Sequence, residues 1–137
     1  MHRNKFGQEY DVLIGGAVEI GETVEQAVLR EIAEEAGIQV DQPRLVYVER
    51  ASDPYGVQYI FLCDYVQGEP HLAADSPEYA IGQMGKNLYS LAWRTAAEIA
   101  AGQFKSEAVQ AALLEGLEKG FPASPVEITD KQVSRQI

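Results

Sequence analysis

The sequence predicts a mixed α/β fold, a β-sheet sandwiched between helices, in one domain. Three observations carry that prediction. The chain has 137 residues, the length of a single domain and enough to bury a core without disulfides. Strand-like runs stand before and after a central helical segment, and further helical segments close the sequence. No repeat, low-complexity tract or Gly/Ser-rich linker divides it.

The elements follow in order. Residues 9–14 (EYDVLI) read as a short strand, ending on Gly15-Gly16. Residues 24–36 (VEQAVLREIAEEA) read as a helix with both ends marked: Thr23 and Gln26 have the spacing of a capping box, and Gly37 suits the left-handed residue that ends a helix. The runs 44–51 (RLVYVERA) and 57–66 (VQYIFLCDYV) are rich in β-branched and aromatic residues, and Ser52 to Gly56 between them carries turn chemistry, so a hairpin is expected. Residues 67–87 hold Gly82, Gly85, Pro70 and Pro77 and have no period. One more strand is expected at 88–94, then a short helix from Thr95 to Ala101. A longer helix over about 106–118 places Val109, Ala112, Leu113 and Leu117 on one face, and Gly120 and Pro122 stop it. The domain is therefore drawn as residues 1–122, with 123–137 as a polar tail.

Composition narrows the functional classes. No apolar run has the roughly 18–20 residues that a spanning helix needs, and MHRNKFGQEY lacks a signal-peptide core, so a cytoplasmic location and no membrane partner are expected. Cys63 is alone, in an apolar run, and reads as a small buried hydrophobe. Twenty-one acids against eleven bases give a formal net charge of −10, a field of the wrong sign for nucleic acid, so no nucleic-acid partner is expected. A phosphate compound would need a cation to approach such a surface.

The segment 16–38, GAVEIGETVEQAVLREIAEEAGI, concentrates the chemistry. Projected at about 100° per residue, Val24, Val28, Ile32 and Ala36 form an apolar stripe, and Glu31, Glu34 and Glu35 gather beside it. Like charges three and four residues apart destabilise a helix, and an acid bordering an apolar stripe loses solvation, so the cluster calls for a compensating cation. A solvated acidic face is the plainer alternative. Against it, the acids adjoin the packed stripe, and they follow two glycines that permit close backbone approach. Carboxylate and carbonyl oxygens are what a hard divalent ion takes, and magnesium commonly shares its shell between carboxylates and substrate phosphates.

This segment resembles the Nudix box: Gly, five residues, Glu, seven residues, Arg-Glu, an aliphatic, one residue, Glu-Glu, one residue, Gly, an aliphatic. Gly16, Glu22, Arg30, Glu31, Ile32, Glu34, Glu35, Gly37 and Ile38 hold those places without a mismatch. The resemblance implies the Nudix-type mixed sheet between helices, and a pyrophosphohydrolase that cleaves the diphosphate linkage of a nucleotide-like small molecule with Mg2+, or Mn2+, as cofactor. It implies a metal shell from Glu31, Glu34 and Glu35 with a backbone carbonyl of Gly15 or Gly16. The same acids form the catalytic set with Arg30, which orients a carboxylate, while Gly16, Glu22 and Gly37 support the box. Asp75 and Glu78 fall where some members carry a further acid; an exposed loop acid is the alternative for each.

The resemblance also sets expectations at the margins. Members usually have a strand or two ahead of the box, whereas fifteen residues precede Gly16 here, and His2 to Phe6 read as a strand end and the turn after it. A sheet cut short there would expose an edge, from which a homodimer is expected. Ile14 stands where many members have Pro. Tyr47, Tyr55, Tyr59 and Tyr89 read as cross-strand packing rather than base-stacking groups, Trp93 as a core anchor, and Arg44 and Arg50 as partners of nearby carboxylates. His2 and His71 lack metal-ligand spacing and receive no role. The alternatives to an enzyme are a Nudix-fold module that binds a nucleotide without turnover, and a structural domain with an acidic helix; intact box acids speak against the first.

Overall fold

The structure is a computed structural model, and it describes residues 1–50, 56–72 and 87–129. The expected hairpin turn at 52–55, with Tyr55, and the candidates Asp75 and Glu78 lie outside the described residues. The order is β1 (His2–Lys5), β2 (Gln8–Asp11), α1 (Val24–Ala36), β3 (Gln39–Arg50), β4 (Val57–Gln67), β5 (Asn87–Ser90), α2 (Ala96–Ala101), α3 (Glu107–Lys119) and β6 (Val126–Thr129). The mixed α+β class holds, and among the described residues the strands form two three-stranded sheets, β2-β1-β5 and β4-β3-β6. The chain divides into two compact units, Met1–Pro43 with Cys63–Trp93, and Arg44–Leu62 with Arg94–Ile137.

In the first unit, β1 and β2 form a hairpin whose register runs from His2 opposite Asp11 to Lys5 opposite Gln8. The two turn residues, Phe6 at φ 53° and Gly7 at φ 90°, both have positive φ, as a tight turn matched to strand twist requires. Asn4 Oδ1 accepts from the Gly7 N–H at 3.0 Å. β1 also pairs antiparallel with β5, His2 opposite Ser90 and Lys5 opposite Asn87. The opening strand is thus the centre of its sheet, paired on both sides, and the bare edge expected there is absent from β1. The Arg3 guanidinium lies 4.8 Å from the centre of the Tyr89 ring. Trp93 is not a core anchor: it is largely exposed and meets Tyr65 edge-on at 5.4 Å.

Helix α1 has its predicted bounds because both ends are fixed locally. The Gln26 N–H donates to Thr23 Oγ1 at 3.1 Å, and the Thr23 N–H donates to Gln26 Oε1 at 2.9 Å. Gly37 takes φ 67° and donates its N–H to the Ala33 carbonyl at 3.1 Å. The packed face is wider than the predicted stripe. Ala27 and Ala36 are buried, while Val24, Val28 and Ile32 are half-buried.

The second unit is built on Val46, Tyr47, Ile60, Val109 and Ala112, with Leu62, Phe104, Leu113, Phe121 and Ile128 packed against them. Tyr47 is core, as predicted, and its hydroxyl donates to the Ala112 carbonyl at 2.9 Å. Burial, with the nearby Glu115 charge, pushes the Tyr47 phenol pKa up. Helix α3 does not bury Leu117, which is half exposed; Gly116 is the buried residue in that turn. A Cβ on Gly116 would overlap the Phe121 ring, and Phe121 in turn meets Tyr47 edge-on at 6.2 Å. The stretch read as a tail contains β6, which pairs parallel with β3 from Tyr47 opposite Val126 to Arg50 opposite Thr129. Arg50 pairs with a carboxylate as expected, its Nε 2.7 Å from Glu127 Oε1, whereas Arg44 donates to the Pro122 carbonyl. Cys63 is half-buried, and burial followed by the Asp64 charge pushes its thiol up, away from the reactive thiolate.

The buried Glu49, only 3% exposed, depends on Ser106. The Ser106 hydroxyl donates to Glu49 Oε2 and accepts the Val109 N–H at 3.2 Å, capping α3. Ser106 does so at φ 79°, a region a serine seldom adopts. Ser106→Ala removes a cap and leaves a buried carboxylate without this partner, and should cost about 2–3 kcal/mol in urea unfolding. Ser106→Gly, which relieves the backbone, should cost less than alanine despite losing the same two bonds; equal midpoints for the two variants would remove the backbone from the explanation.

Candidate active site

The loop between β2 and α1 carries no regular structure, so something else must hold it on the helix. Arg30 does. Its Nε donates to Glu22 Oε2 at 2.7 Å and its Nη2 to Glu22 Oε1 at 3.0 Å, a two-bond fork that ties loop to helix across eight residues. Nη2 also donates to the Ala17 carbonyl at 3.1 Å. Nη1 reaches Glu31 Oε1 at 3.0 Å and Glu34 Oε2 at 3.1 Å, with Glu19 Oε1 at 3.7 Å. The compensating cation that the acidic helix calls for is therefore, in the first instance, an arginine of its own sequence.

The surroundings of these acids differ. Side-chain exposure is 13% for Glu22 and 14% for Glu31, against 63% for Glu34. The shielded pairs are the ones that water screens least. Glu22 also accepts the Glu19 N–H at 3.0 Å. The Arg30 hydrogen bonds and then this backbone bond, against an opposing desolvation, hold its carboxyl down at about pKa 2. The bonds to Glu22 first, then, against desolvation, those to Glu31 and Glu34, raise the Arg30 pKa further, so its charge is permanent.

Gly16 is needed for space. A Cβ built there would lie 2.6 Å from Glu31 Oε2 and nearer still to the rest of that carboxylate, so Glu31 rests against the loop backbone only because residue 16 has no side chain. Gly15 has nothing within 4 Å of the same position. Of the pair, Gly16 alone makes the close approach.

Carboxylates beside a closely approached glycine backbone are of a chemistry that suits a hard divalent ion. Among the described residues, however, no group of three or more acidic, His or Cys side chains is arranged to enclose one. Glu31 and Glu34 converge on Arg30 rather than on each other. Glu35 is half-buried on the last turn of α1. Sequence reasoning missed Glu19 and the Ala17 carbonyl, which occupy unconstrained places between Gly16 and Glu22. It also missed His71, whose backbone N–H donates to the Ala36 carbonyl at 2.9 Å.

With this geometry in view, the comparison with known proteins is direct. The NUDIX domain family matches residues 1–113, and the chain belongs to the Nudix family. Similar curated proteins are NAD-capped RNA hydrolases NudC. That of Photorhabdus laumondii subsp. laumondii is 41% identical over 68 residues, 50% of this chain and 26% of the relative. That of Photobacterium profundum is 38% identical over 89 residues, 65% of this chain and 29% of the relative. That of Edwardsiella ictaluri is 44% identical over 68 residues, 50% of this chain and 25% of the relative. The chain thus spans between a quarter and a third of the length of these relatives. No helix among the described residues is long and apolar enough to cross a membrane.

The Glu22 pair predicts an acid limb of stability. A carboxyl whose folded pKa is depressed stabilises above its unfolded pKa, and that contribution is lost as pH falls through the folded value. Stability should therefore decline from about pH 4.5 toward about pH 2 as Glu22 protonates. In Glu22→Gln this part of the decline should vanish; thermal melts at stepped pH compare the two, and parallel acid limbs would place the loss elsewhere.

Proposed function

We propose that this chain is the hydrolytic domain of a magnesium-dependent Nudix pyrophosphohydrolase, cleaving the diphosphate that joins the two halves of a dinucleotide of the NAD kind. The observation that carries the reading is the formed box: Arg30 forked onto Glu22, with Glu31 seated against Gly16. The names of the relatives, which specify an NAD cap, support the substrate class. The same names set an RNA against the expectation of no nucleic-acid partner, which rested on the net charge of −10. That charge favours the free dinucleotide over a capped RNA for this chain taken by itself.

Glu34 and Glu35, with Glu31 and the Gly16 carbonyl, would hold the ion. When bound, a divalent cation stabilises charge developing on phosphoryl oxygens. The residues do the rest. Glu31, fixed between Arg30 and Gly16, has the defined position that taking a proton from the attacking water requires. Water attacks phosphorus, the bridging P–O bond breaks, and each nucleoside half leaves as a monophosphate. Arg30 keeps Glu31 in place and does not itself change charge.

Glu34→Gln and Glu35→Gln should each lower kcat on a dinucleotide substrate by on the order of 10²–10³-fold, because each removes a negative charge that would face the ion and so weakens the ion's hold on the phosphoryl charge. Glu34 is exposed, so its variant should fold within about 0.5 kcal/mol of the parent. The test is a hydrolysis screen with magnesium across NAD, nucleotide sugars, nucleoside triphosphates and NAD-capped RNA, products being separated by chromatography. Turnover confined to triphosphates would overturn the substrate class, and calorimetry showing tight nucleotide binding with no turnover would make the chain a binding module.

A further inference from the structure

The end of α1 is covered by a segment to which the box pattern gives no part. After β4 the chain passes through Gly68, Glu69, Pro70 and His71, and it meets the helix terminus at two points of unusually close approach. Gly68, at φ 105°, lies so near that a Cβ there would be 2.9 Å from the Gly37 carbonyl oxygen and 3.0 Å from the Ile38 Cα. The His71 imidazole fills the space over Gly37: a Cβ on that glycine would be 2.8 Å from Nε2, 3.0 Å from Nδ1 and closer still to Cε1. Gly37 is thus constrained twice, by its left-handed backbone and by the ring that occupies its side-chain space.

Hydrogen bonds fix this arrangement. The last carbonyls of a helix have no partner within it. The His71 N–H supplies one to Ala36, at 2.9 Å. The His71 Nδ1 donates to the Glu69 carbonyl at 2.9 Å, which sets the ring plane and leaves Nε2 without a part in the turn. Glu34 and Glu35 stand on the helical turn so covered, between the Ala33 carbonyl that Gly37 takes and the Ala36 carbonyl that His71 takes.

We propose that His71 is a positioning residue for the reaction, holding the last turn of α1 and with it Glu34 and Glu35. It acts through the backbone of Ala36 and Gly37 and touches no reacting group. The inference rests on the function proposed above for its kinetic consequence, while its structural half stands independently.

Three forms of the whole chain separate the outcomes: the parent, His71→Ala and His71→Asn, in which the asparagine amide can replace the Nδ1 donor. His71→Ala should keep a melting temperature near the parent's, because the ring is exposed. It should quicken hydrogen exchange at the amides of Gly37 and residue 71 at least tenfold, and lower kcat about tenfold with KM within twofold. His71→Asn should recover most of both losses. Parent-like exchange in His71→Ala would overturn the proposal, as would a kcat loss carried by KM instead, or an asparagine variant no better than alanine. If the parent itself hydrolyses nothing in the screen, the proposed function falls, and the exchange rates still decide whether His71 holds the helix end.

Discussion

One arginine makes the acidic helix tenable. Without Arg30, Glu31 and Glu34 would be three residues apart with like charge and Glu22 would be a shielded carboxylate in an irregular loop. With it, three carboxylates and a loop carbonyl share five guanidinium bonds. A lysine at this place would supply the charge but not the planar fork that grips Glu22 with two parallel bonds. The loop's path, the seat of Glu31 against Gly16 and the accessibility of Glu34 all depend on where that fork points. The arginine is consequently architectural first. Its guanidinium orders the groups that chemistry would use, and an ion entering beside Glu34 would meet a carboxylate already in partnership.

How far the sequence disclosed this depended on whether the cause was local. The bounds of α1 were legible to the residue because Thr23, Gln26 and Gly37 act within one turn of the ends they mark. Thr95 and Ser106 cap α2 and α3 equally locally, although the sequence pattern marks those helices only by approximate bounds. The fork between Arg30 and Glu22 lies within one motif, and its eight-residue spacing is part of the box. What stayed hidden was set by distant partners. Nothing local distinguishes Val126–Thr129 from a tail; it becomes a strand by lying along Tyr47–Arg50. Trp93 has the composition of a core anchor and meets Tyr65 at the surface, and Leu117 keeps helical phase while Gly116 takes the buried place. His71 has no metal-ligand spacing, and its neighbour across the helix end is a glycine, whose missing side chain leaves no mark in a hydrophobic pattern.

Three glycines stand where another residue's side chain packs onto the backbone, and each has a different tenant. Gly16 admits a carboxylate, Gly37 an imidazole and Gly116 a phenyl ring. All three are invisible to periodicity, since the signal is an absence. In each case the side chain that fills the space belongs to a residue at least five positions away, so the glycine and its tenant constrain each other as a pair.

The parallel pairing of β3 with β6 has a consequence in time. Arg50 and Glu127, joined across that pair, are 77 positions apart, and the Tyr47 hydroxyl reaches a carbonyl 65 positions on. Closing so long a loop costs chain entropy before any contact repays it, and pairings of this span form slowly. Helix α1, by contrast, is capped from within thirteen residues of itself and can order early. On a ribosome, the acid-bearing segment, with both of its caps, would emerge well before β6 is synthesised. The second unit's core, with Tyr47, Val109 and Ile128 drawn from both ends of that span, can close only afterwards.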